Sequence, residues 1–572
     1  MRGYTGTYVT NGPPGTGKTS WLAEQICEIA RHTHVGAPPV LVCSLTRTAA
    51  AEIAAAASRK ASAAGLYVEP ERIGTLHSHA YRALGCPKVA EGEAEHWNEE
   101  HPAYRLGGTR LDPDDPLAKT DYASTPGDAL FGEYQTLRAR QIDPPLWPIT
   151  VRAFGDAWDS WKKENDLIDF TDMIECALRD DVPPTCNPEI IISDEAQDHS
   201  ALEIALLTAW GKRAGALVLA GDPYQALYTW RGAHPEIFLS AEIPADHRKI
   251  LHQSWRVPRT VHGVAMRWLS ALNDYQAIDY LPRDADGEVQ EVAASWKAPE
   301  LAIRKAEELL AQGKTVMFQA SCGFFLRPLL ACLHQRGIPF ANPWRRKRGD
   351  WNPLGGGGGR GISMRQRILD LLKPDPRSGA QHGLWSWREV NRWAGVLRAE
   401  KGLLSRNKRD WLAEQAAAEK AAPKATEVWP TVEDLRQFLE PSAAERLHAF
   451  FVQYGEADLA GLLDWYEAAL VTSKKKGARY PIHLGRTRGL QALTEEPRLF
   501  VGTTHAFKGA EADAVFIFPD LSPAGYQEYN HRTMRDNIIR LFYVALTRAR
   551  ESVFLCRAAT PRSVHIDIQK GE

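Results

Sequence analysis

A chain of 572 residues is too long for one hydrophobic core, so several domains are expected. Its formal charge of −2 excludes a generally basic surface, so any nucleic-acid partner would be held by local grooves and stacking. No apolar run approaches a membrane span, the start enters a strand without a signal-peptide pattern, and eight scattered cysteines include no C-x-x-C pair. The expectation is a cytoplasmic protein with no membrane partner, no disulfide framework and no zinc ribbon.

The first element is a β-type run, Thr7-Tyr8-Val9-Thr10, followed by Gly12-Pro13-Pro14-Gly15-Thr16-Gly17-Lys18-Thr19 and then Ser20. This fits G-x-x-x-x-G-K-[ST]: backbone N–H groups close around phosphate oxygens, Lys18 neutralises β/γ charge and the Thr19 hydroxyl holds Mg²⁺. Trp21, Leu22, Ile26 and Ile29 follow at helical spacing, presenting a helix N-terminus to the anion. A similar triplet, Gly313-Lys314-Thr315, is rejected because Glu308 stands where the first glycine belongs.

Val40-Leu41-Val42-Cys43 reads as a buried parallel strand ending at Ser44-Leu45-Thr46-Arg47, and Gly74-Thr75-Leu76-His77-Ser78 forms a second polar edge before a helix. From 86 to 185 the sheet signal gives way to Pro-rich and helical segments, read as an inserted helical subdomain. Sheet character returns at Ile190-Ile191-Ile192-Ser193, which delivers Asp194-Glu195-Ala196-Gln197-Asp198 at its tip. An acidic pair there suits Mg²⁺ binding by Asp194 and polarisation of water by Glu195. The strand Ala216-Leu217-Val218-Leu219-Ala220 ends in Gly221-Asp222-Pro223-Tyr224-Gln225, where the Gln225 amide can sense a γ-phosphate. Trp230 and Arg231, a little further on, offer a flat face and a cation to single-stranded bases, a pairing worth roughly 1–3 kcal/mol per base.

A second core is expected from about residue 244, with Gln253-Ser254-Trp255-Arg256, a helix over 299–312 and the strand Val316-Met317-Phe318-Gln319. Arg345-Arg346-Lys347-Arg348 and the five glycines from Gly355 read as a break and a flexible linker. Residues 360–490 read as a second, mostly helical insertion with Trp385, Trp387, Trp393 and Trp411 among basic residues and Lys474-Lys475-Lys476 beyond; its basic clusters read equally as DNA-phosphate contacts or as a solvated face. The sheet resumes at Leu499-Phe500-Val501-Gly502-Thr503, leading to Thr504-His505-Ala506-Phe507-Lys508-Gly509-Ala510-Glu511. Last come a helix with Tyr543-Val544-Ala545-Leu546-Thr547-Arg548-Ala549-Arg550 and the strand Val553-Phe554-Leu555-Cys556.

The ordered set GPPGTGKT, GTLHS, DEAQD, AGDPYQALYTWRGA, QSWR, THAFKGAE and YVALTRAR resembles the superfamily 1A helicases of the UvrD/Rep/PcrA type across both cores, and only weakly in the insertions. The resemblance implies an α/β protein of two RecA-like P-loop motor domains, parallel sheets flanked by helices, each with a mainly helical insertion. The expected boundaries are 1–85 and 186–243 for the first core around an insertion of 86–185, and 244–345 and 496–572 for the second around 346–495. It further implies ATP and Mg²⁺ as cofactors, with single-stranded DNA and single/double-strand junctions as substrate. Accessory repair or replication proteins are further partners it admits. On matching positions, Lys18, Thr19 and Asp194 would bind phosphate and metal, Glu195 would be the general base, and Gln225 would couple γ-phosphate to DNA. Arg256 and Arg548 would be arginine fingers, Trp255 would stack on the base and Glu511 would contact the ribose. Thr46, Thr75, His77, Trp230, Arg231 and His505 would contact DNA. The implied activity is ATP-driven 3′→5′ unwinding; the rivals are a translocase that displaces proteins without opening duplex and a DNA-binding motor subunit of a larger complex.

Four departures from the family pattern stand out. No glutamine precedes Gly12, and Trp255 replaces the family's stacking tyrosine, so other nucleoside triphosphates are expected to be accepted. Ser20 stands where a basic residue is common. After the final arginine motif, residues 551–572 offer at most a tight turn at Thr560-Pro561-Arg562 in place of a strand-separating hairpin, which leaves translocation better supported than unwinding.

Overall fold

The computed structural model describes residues 5–31, 40–107, 125–240, 242–273, 275–343, 351–355, 362–372, 385–399, 401–421, 433–451 and 458–568. The basic run at 345–348 and the glycines at 356–359 lie outside the described residues. No helix among the described residues is long and apolar enough to cross a membrane.

The first unit opens with β1 (Gly6–Asn11), the phosphate loop and α1 (Lys18–Arg31), whose buried Leu22, Ala23, Ile26, Cys27, Ile29 and Ala30 recur at the spacing of one helix face. β2 (Val40–Ser44) is buried throughout, α2 (Arg47–Ala63) follows it, and β3 (Ile73–Thr75) leads into α3 (Leu76–Ala83). The first insertion supplies α4 (Ala94–Glu100), α5 (Pro126–Ala139) and α6 (Ile149–Glu164) around an aromatic core of Trp97, Phe131, Tyr134, Phe154, Trp158 and Trp161. α7 (Phe170–Arg179) falls inside the range expected for the insertion, yet its Met173, Ile174 and Ala177 pack with Leu41 and Ile191 of the first sheet. The sheet continues through β4 (Ile190–Ser193), α8 (Ala201–Ala214), β5 (Ala216–Gly221) and β6 (Arg248–Ile250). The six strands are parallel in the order β3-β2-β4-β5-β1-β6. The second core was expected from residue 244, but β6 pairs with β1, so the first sheet runs through Ile250.

The second unit begins with β7 (Gln253–Pro258), α9 (Arg259–Leu269) and β8 (Leu281–Arg283); β7 and β8 pair as a separate two-stranded ribbon. β9 (Glu288–Val292), α10 (Glu300–Ala311), β10 (Val316–Ala320) and α11 (Arg327–Gln335) follow. The second insertion is helical: α12 (Met364–Leu372), α13 (Trp387–Ala394), α14 (Asn407–Ala421), α15 (Pro441–Ala449), α16 (Leu459–Ala469), α17 (Thr472–Arg488) and α18 (Gln491–Thr494). The chain returns through β11 (Leu499–Thr503), β12 (Ala512–Phe518), α19 (Pro523–Asn530), α20 (Arg535–Leu546) and β13 (Ala549–Cys556). These strands make a parallel sheet in the order β11-β10-β12-β13-β9. Phe318, Phe516 and Phe554 stack across three neighbouring strands at 4.6 Å spacing. Their face is continuous with the core of the second insertion, so that insertion is packed onto the sheet. The central strands β2, β4, β5 and β10 are buried on both faces, as parallel strands joined by helical crossovers require.

A buried ionic knot ties the first insertion to the first sheet. Arg138 of α5 lies 2.9 Å from Asp169, 2.5 Å from Asp172 and 2.5 Å from Glu175, while Lys162 of α6 lies 2.8 Å from Asp169. Burial opposes the charge on Asp169, but Arg138 and Lys162 overcome it and hold the carboxyl well below its usual range. Its contribution is therefore present at neutral pH and is lost as the pH falls through the ordinary carboxylate range toward that depressed value. Arg138→Met removes the cation shared by three carboxylates and should destabilise the insertion by about 3 kcal/mol. Tryptophan fluorescence reports it directly, since Trp97, Trp158 and Trp161 line that core; an unshifted denaturation midpoint would show the knot to be neutral.

Candidate active site between the two sheets

The phosphate loop is set by its glycines and by the second unit that abuts it. Gly15 and Gly17 have φ of +75° and +77°, which a side chain would strain. Pro13, Pro14 and Thr16 are buried, and the Thr16 hydroxyl donates to the Pro13 carbonyl at 2.8 Å. A Cβ on Gly12 would press on Lys18 at 3.2 Å, and one on Gly15 would lie 2.4 Å from Arg256 Cβ. Three bonds from the second unit hold this loop: Ser254 Oγ and Tyr280 OH donate to the Pro14 carbonyl at 2.9 and 2.7 Å, and Trp255 N–H donates to the Gly15 carbonyl at 2.8 Å. Ser254 Oγ also accepts from the N–H groups of Arg256 and Val257, at 3.3 and 3.0 Å. One hydroxyl thus sits between the loop and the backbone of Arg256.

Lys18 opens α1 and reaches the acidic tip of β4, 3.1 Å from Asp194 Oδ1 and 2.5 Å from Glu195 Oε1. Burial would lower its pKa, but the two carboxylates outweigh that and raise it. Asp194 is buried and shifted upward by desolvation. Its Oδ1 faces the Lys18 ammonium, and half-buried Thr19 stands in the first turn of α1, with Ser20 exposed beyond it. A hydroxyl and a carboxylate beside the N–H groups of a glycine loop suit Mg²⁺ and a triphosphate. Glu195 is a non-glycine residue in the left-handed region, φ 52° and ψ 37°. Burial opposes its ionisation, but Lys18 and Lys508 hold its carboxyl well below the usual range. Gln197 Nε2 donates to its other oxygen at 2.5 Å.

The second unit contributes the remaining charges. Arg548 is only 1% exposed, and its acceptors are all neutral: Val544 O at 3.0 Å, Ala510 O at 3.4 Å, Thr547 Oγ1 at 3.3 Å and Gln225 Oε1 at 2.8 Å. Burial, then repulsion from Arg256, pushes its pKa down to about 9. Among the described residues no carboxylate pairs directly with this guanidinium, and a phosphate oxygen would supply a direct anionic partner. Gln225 in turn donates to Asp222, whose pKa burial pushes up to about 6. Arg256 pairs with Glu511 at 2.7 Å and Arg550 with the same carboxylate at 3.0 Å, so Glu511, expected on a ribose, is here engaged by two arginines. The Trp255 indole is 72% exposed beside Gly17, ready to be stacked upon.

The expected DNA contacts lie along the strand ends. Thr46 and Thr75 cap α2 and α3, accepting from Ala49 and Ser78 N–H at 3.2 and 3.1 Å. His77 lies 3.8 Å from Glu203 and edge-on to Phe170. Trp230 is 38% exposed, and Tyr228 stands between it and His505, with ring centroids 6.4 and 6.2 Å away. Arg231 closes the same short turn. Arg140 of α5 donates to the Thr229 carbonyl at 2.7 Å, and the Thr229 hydroxyl donates to Asn537 of α20 at 2.8 Å.

Sequence reasoning passed over Lys508, Ser254, Tyr280 and Tyr228. Lys508 Nζ pairs with Asp198, donates to the Gln225 carbonyl at 2.8 Å, lies 3.7 Å from Glu195 and sits 5.5 Å from the Tyr228 ring centroid. It was visible within THAFKGAE, but its partner carboxylates stand some three hundred residues earlier. Nothing local pairs them.

The chain matches the AAA domain family over residues 4–231 and the UvrD-like helicase C-terminal domain over residues 498–556. It is 26% identical over 288 residues to ATP-dependent DNA helicase UvrD2 of Mycobacterium tuberculosis, covering 45% of this chain and 40% of the relative. It is 24% identical over 286 residues to ATP-dependent DNA helicase PcrA of Leuconostoc citreum, covering 44% and 35%. A shorter match to RecBCD enzyme subunit RecB of Mycobacterium tuberculosis is 38% identical over 72 residues, covering 13% and 7%. The match to UvrD2 thus spans about two fifths of that relative's length. Two parallel-sheet units meeting on a phosphate loop, with the family matches falling on both, make this chain a member of the superfamily 1A helicases of the UvrD/Rep/PcrA type.

Proposed function

We propose that the chain is an ATP-dependent DNA helicase that moves 3′→5′ along single-stranded DNA and opens duplex at single/double-strand junctions, working in the cytoplasm. The observation that carries this reading is the buried guanidinium of Arg548, bonded only to neutral acceptors and brought by the second unit to within 2.8 Å of Gln225 on the first. The names of the matched relatives support the same class.

Mg²⁺ held by Thr19 and Asp194 would neutralise charge on the phosphates. Lys18 would turn from the carboxylate pair to those phosphates, releasing Glu195 to accept a proton from the attacking water. Lys508, 3.7 Å away, stays beside Glu195 and favours its ionised form, and the left-handed backbone of Glu195 fixes its aim. Arg548 and Arg256 would stabilise transition-state charge, a contribution of about 10³–10⁵ in rate for such fingers. Because both come from the second unit, hydrolysis requires closure of the cleft. Lys508 links that cleft to the loop of Tyr228 and Trp230, so strand occupancy and hydrolysis share one side chain.

Duplexes with either a 3′ or a 5′ single-stranded tail test the reading, with Lys18→Ala as the blank. The expected result is opening of the 3′-tailed substrate alone. Hydrolysis stimulated by single strands with neither duplex opened would establish the translocase instead. Ser254→Ala should lower kcat by about tenfold with nucleotide affinity unchanged, and should add nothing in an Arg256→Ala background, while Ser254→Thr restores the rate. Additive losses would show that Ser254 does not work through Arg256. An exposed indole stacks on any base, so GTP, CTP and UTP should be hydrolysed within about tenfold of ATP; strict ATP preference in a hydrolysis panel would remove that expectation.

A further inference from the structure

The nucleotide cleft and the Trp230 loop leave one cationic concavity without a task. It lies on the second unit, encloses about 450 Å³ and is lined by Asn273, Tyr529, Asn530, His531, Arg532 and Arg535. No carboxylate lines it. The nearest acids are engaged behind it: Asp536 is buried and accepts from Asn273 N and Nδ2 at 3.2 and 3.0 Å, and Glu528 accepts from Asn537 at 2.6 Å. His531, Arg532 and Arg535 are exposed. The Arg535 guanidinium lies over the Tyr529 ring, 5.4 Å from its centroid, and that ring stacks on buried Trp268. Trp268 is held in turn by its indole N–H, which donates to the Ile539 carbonyl at 2.8 Å. The floor of the concavity is therefore rigid, and its rim is cationic.

Its position is equally informative. In the parallel second sheet, β11 ends just before His505 and β12 ends just before α19, so the turn between α19 and α20 lies at the same sheet edge as His505. Asn537, in the first turn of α20, accepts from the Thr229 hydroxyl and ties this edge to the loop that carries Trp230. With a net charge of −2, the chain has no general attraction for a polyanion, so a local cluster of this kind is what could hold one.

We propose that this concavity binds the sugar–phosphate backbone of the single strand next to the Trp230 loop. Arg532 and Arg535 contact phosphates, and His531 and Asn530 donate to phosphate or sugar oxygens, while Asn273, which donates to the Arg532 carbonyl and to Asp536, and Tyr529, which carries Arg535 over its ring, hold the cations in place. The inference rests on the reading of the chain as a single-strand motor and extends the strand's path onto the second unit.

The test is the salt dependence of binding to a fluorescent oligonucleotide, measured on the full chain for wild type, the double variant Arg532→Gln/Arg535→Gln, the double variant Arg532→Lys/Arg535→Lys, and Trp230→Ala. Each single-strand phosphate contact contributes about 0.7 to the slope of log affinity against log salt. The glutamine pair should therefore lower the slope by about 1.4 and weaken binding by about tenfold at moderate salt. The lysine pair should keep the slope, and the thermal unfolding midpoint should stay unchanged in both. An unchanged slope in the glutamine pair overturns the proposal. If Trp230→Ala weakens binding while that slope holds, only this site falls; if Trp230→Ala also leaves binding untouched, the single-strand reading falls with it. Retained oligonucleotide binding together with lost binding of a polyglutamate probe would assign the concavity to an acidic protein partner and likewise overturn the proposal.

Discussion

The contact on which the rest of the structure depends is the clasp of the second unit on the phosphate loop. Two carbonyls, those of Pro14 and Gly15, accept from Ser254, Tyr280 and Trp255, and Gly15 has no side chain because Arg256 occupies that space. A loop built to turn its N–H groups toward an anion necessarily turns some carbonyls the other way. Here those carbonyls are the docking surface for the strand that carries Arg256. Phosphate binding and interdomain docking are two faces of one backbone conformation.

Around that clasp the charges are arranged in an unequal way. On the first unit Lys18 lies between two carboxylates, and Lys508 comes across from the second to complete the neutralisation of Glu195. On the second unit Arg548 is surrounded by neutral acceptors, and its charge is held at the expense of desolvation. The cleft therefore has a lysine-neutralised acidic wall and, across from it, one buried guanidinium, that of Arg548, held only by neutral acceptors while Arg256 and Arg550 pair with Glu511. An anionic ligand entering between them relieves the second while competing for the lysines of the first, which is how one molecule can pull two units together.

The insertions are attached by different physics. The first has its own aromatic core and is anchored through the buried ionic knot around Arg138, with Arg140 reaching the Thr229 carbonyl. The second shares a continuous apolar core with one face of the second sheet. A charged joint fixes orientation through geometry, whereas an apolar one is non-directional and tolerates small shifts.

Much of this was legible along the chain. The glycines of the phosphate loop, the buried runs of β2, β4, β5, β10 and β12, and the acidic tip at Asp194 and Glu195 are local patterns, because strand periodicity and turn chemistry act over a few residues. The helical character of both insertions was also readable, though α7 and β6 were assigned to the wrong side of a boundary. An amphipathic helix carries no mark of which sheet it will cover, and a three-residue edge strand is too short to announce its partner. What only the tertiary structure decided were the pairings across hundreds of residues: Lys508 with Asp198, Ser254 and Tyr280 with Pro14, Asn537 with Thr229, Arg138 with Asp169. The sequence by itself determined which residues could bind phosphate, because backbone conformation there is set by near neighbours. Which cations stand bare and which are neutralised was decided by chain topology, because electrostatic pairing depends on distance in space and no local rule encodes it.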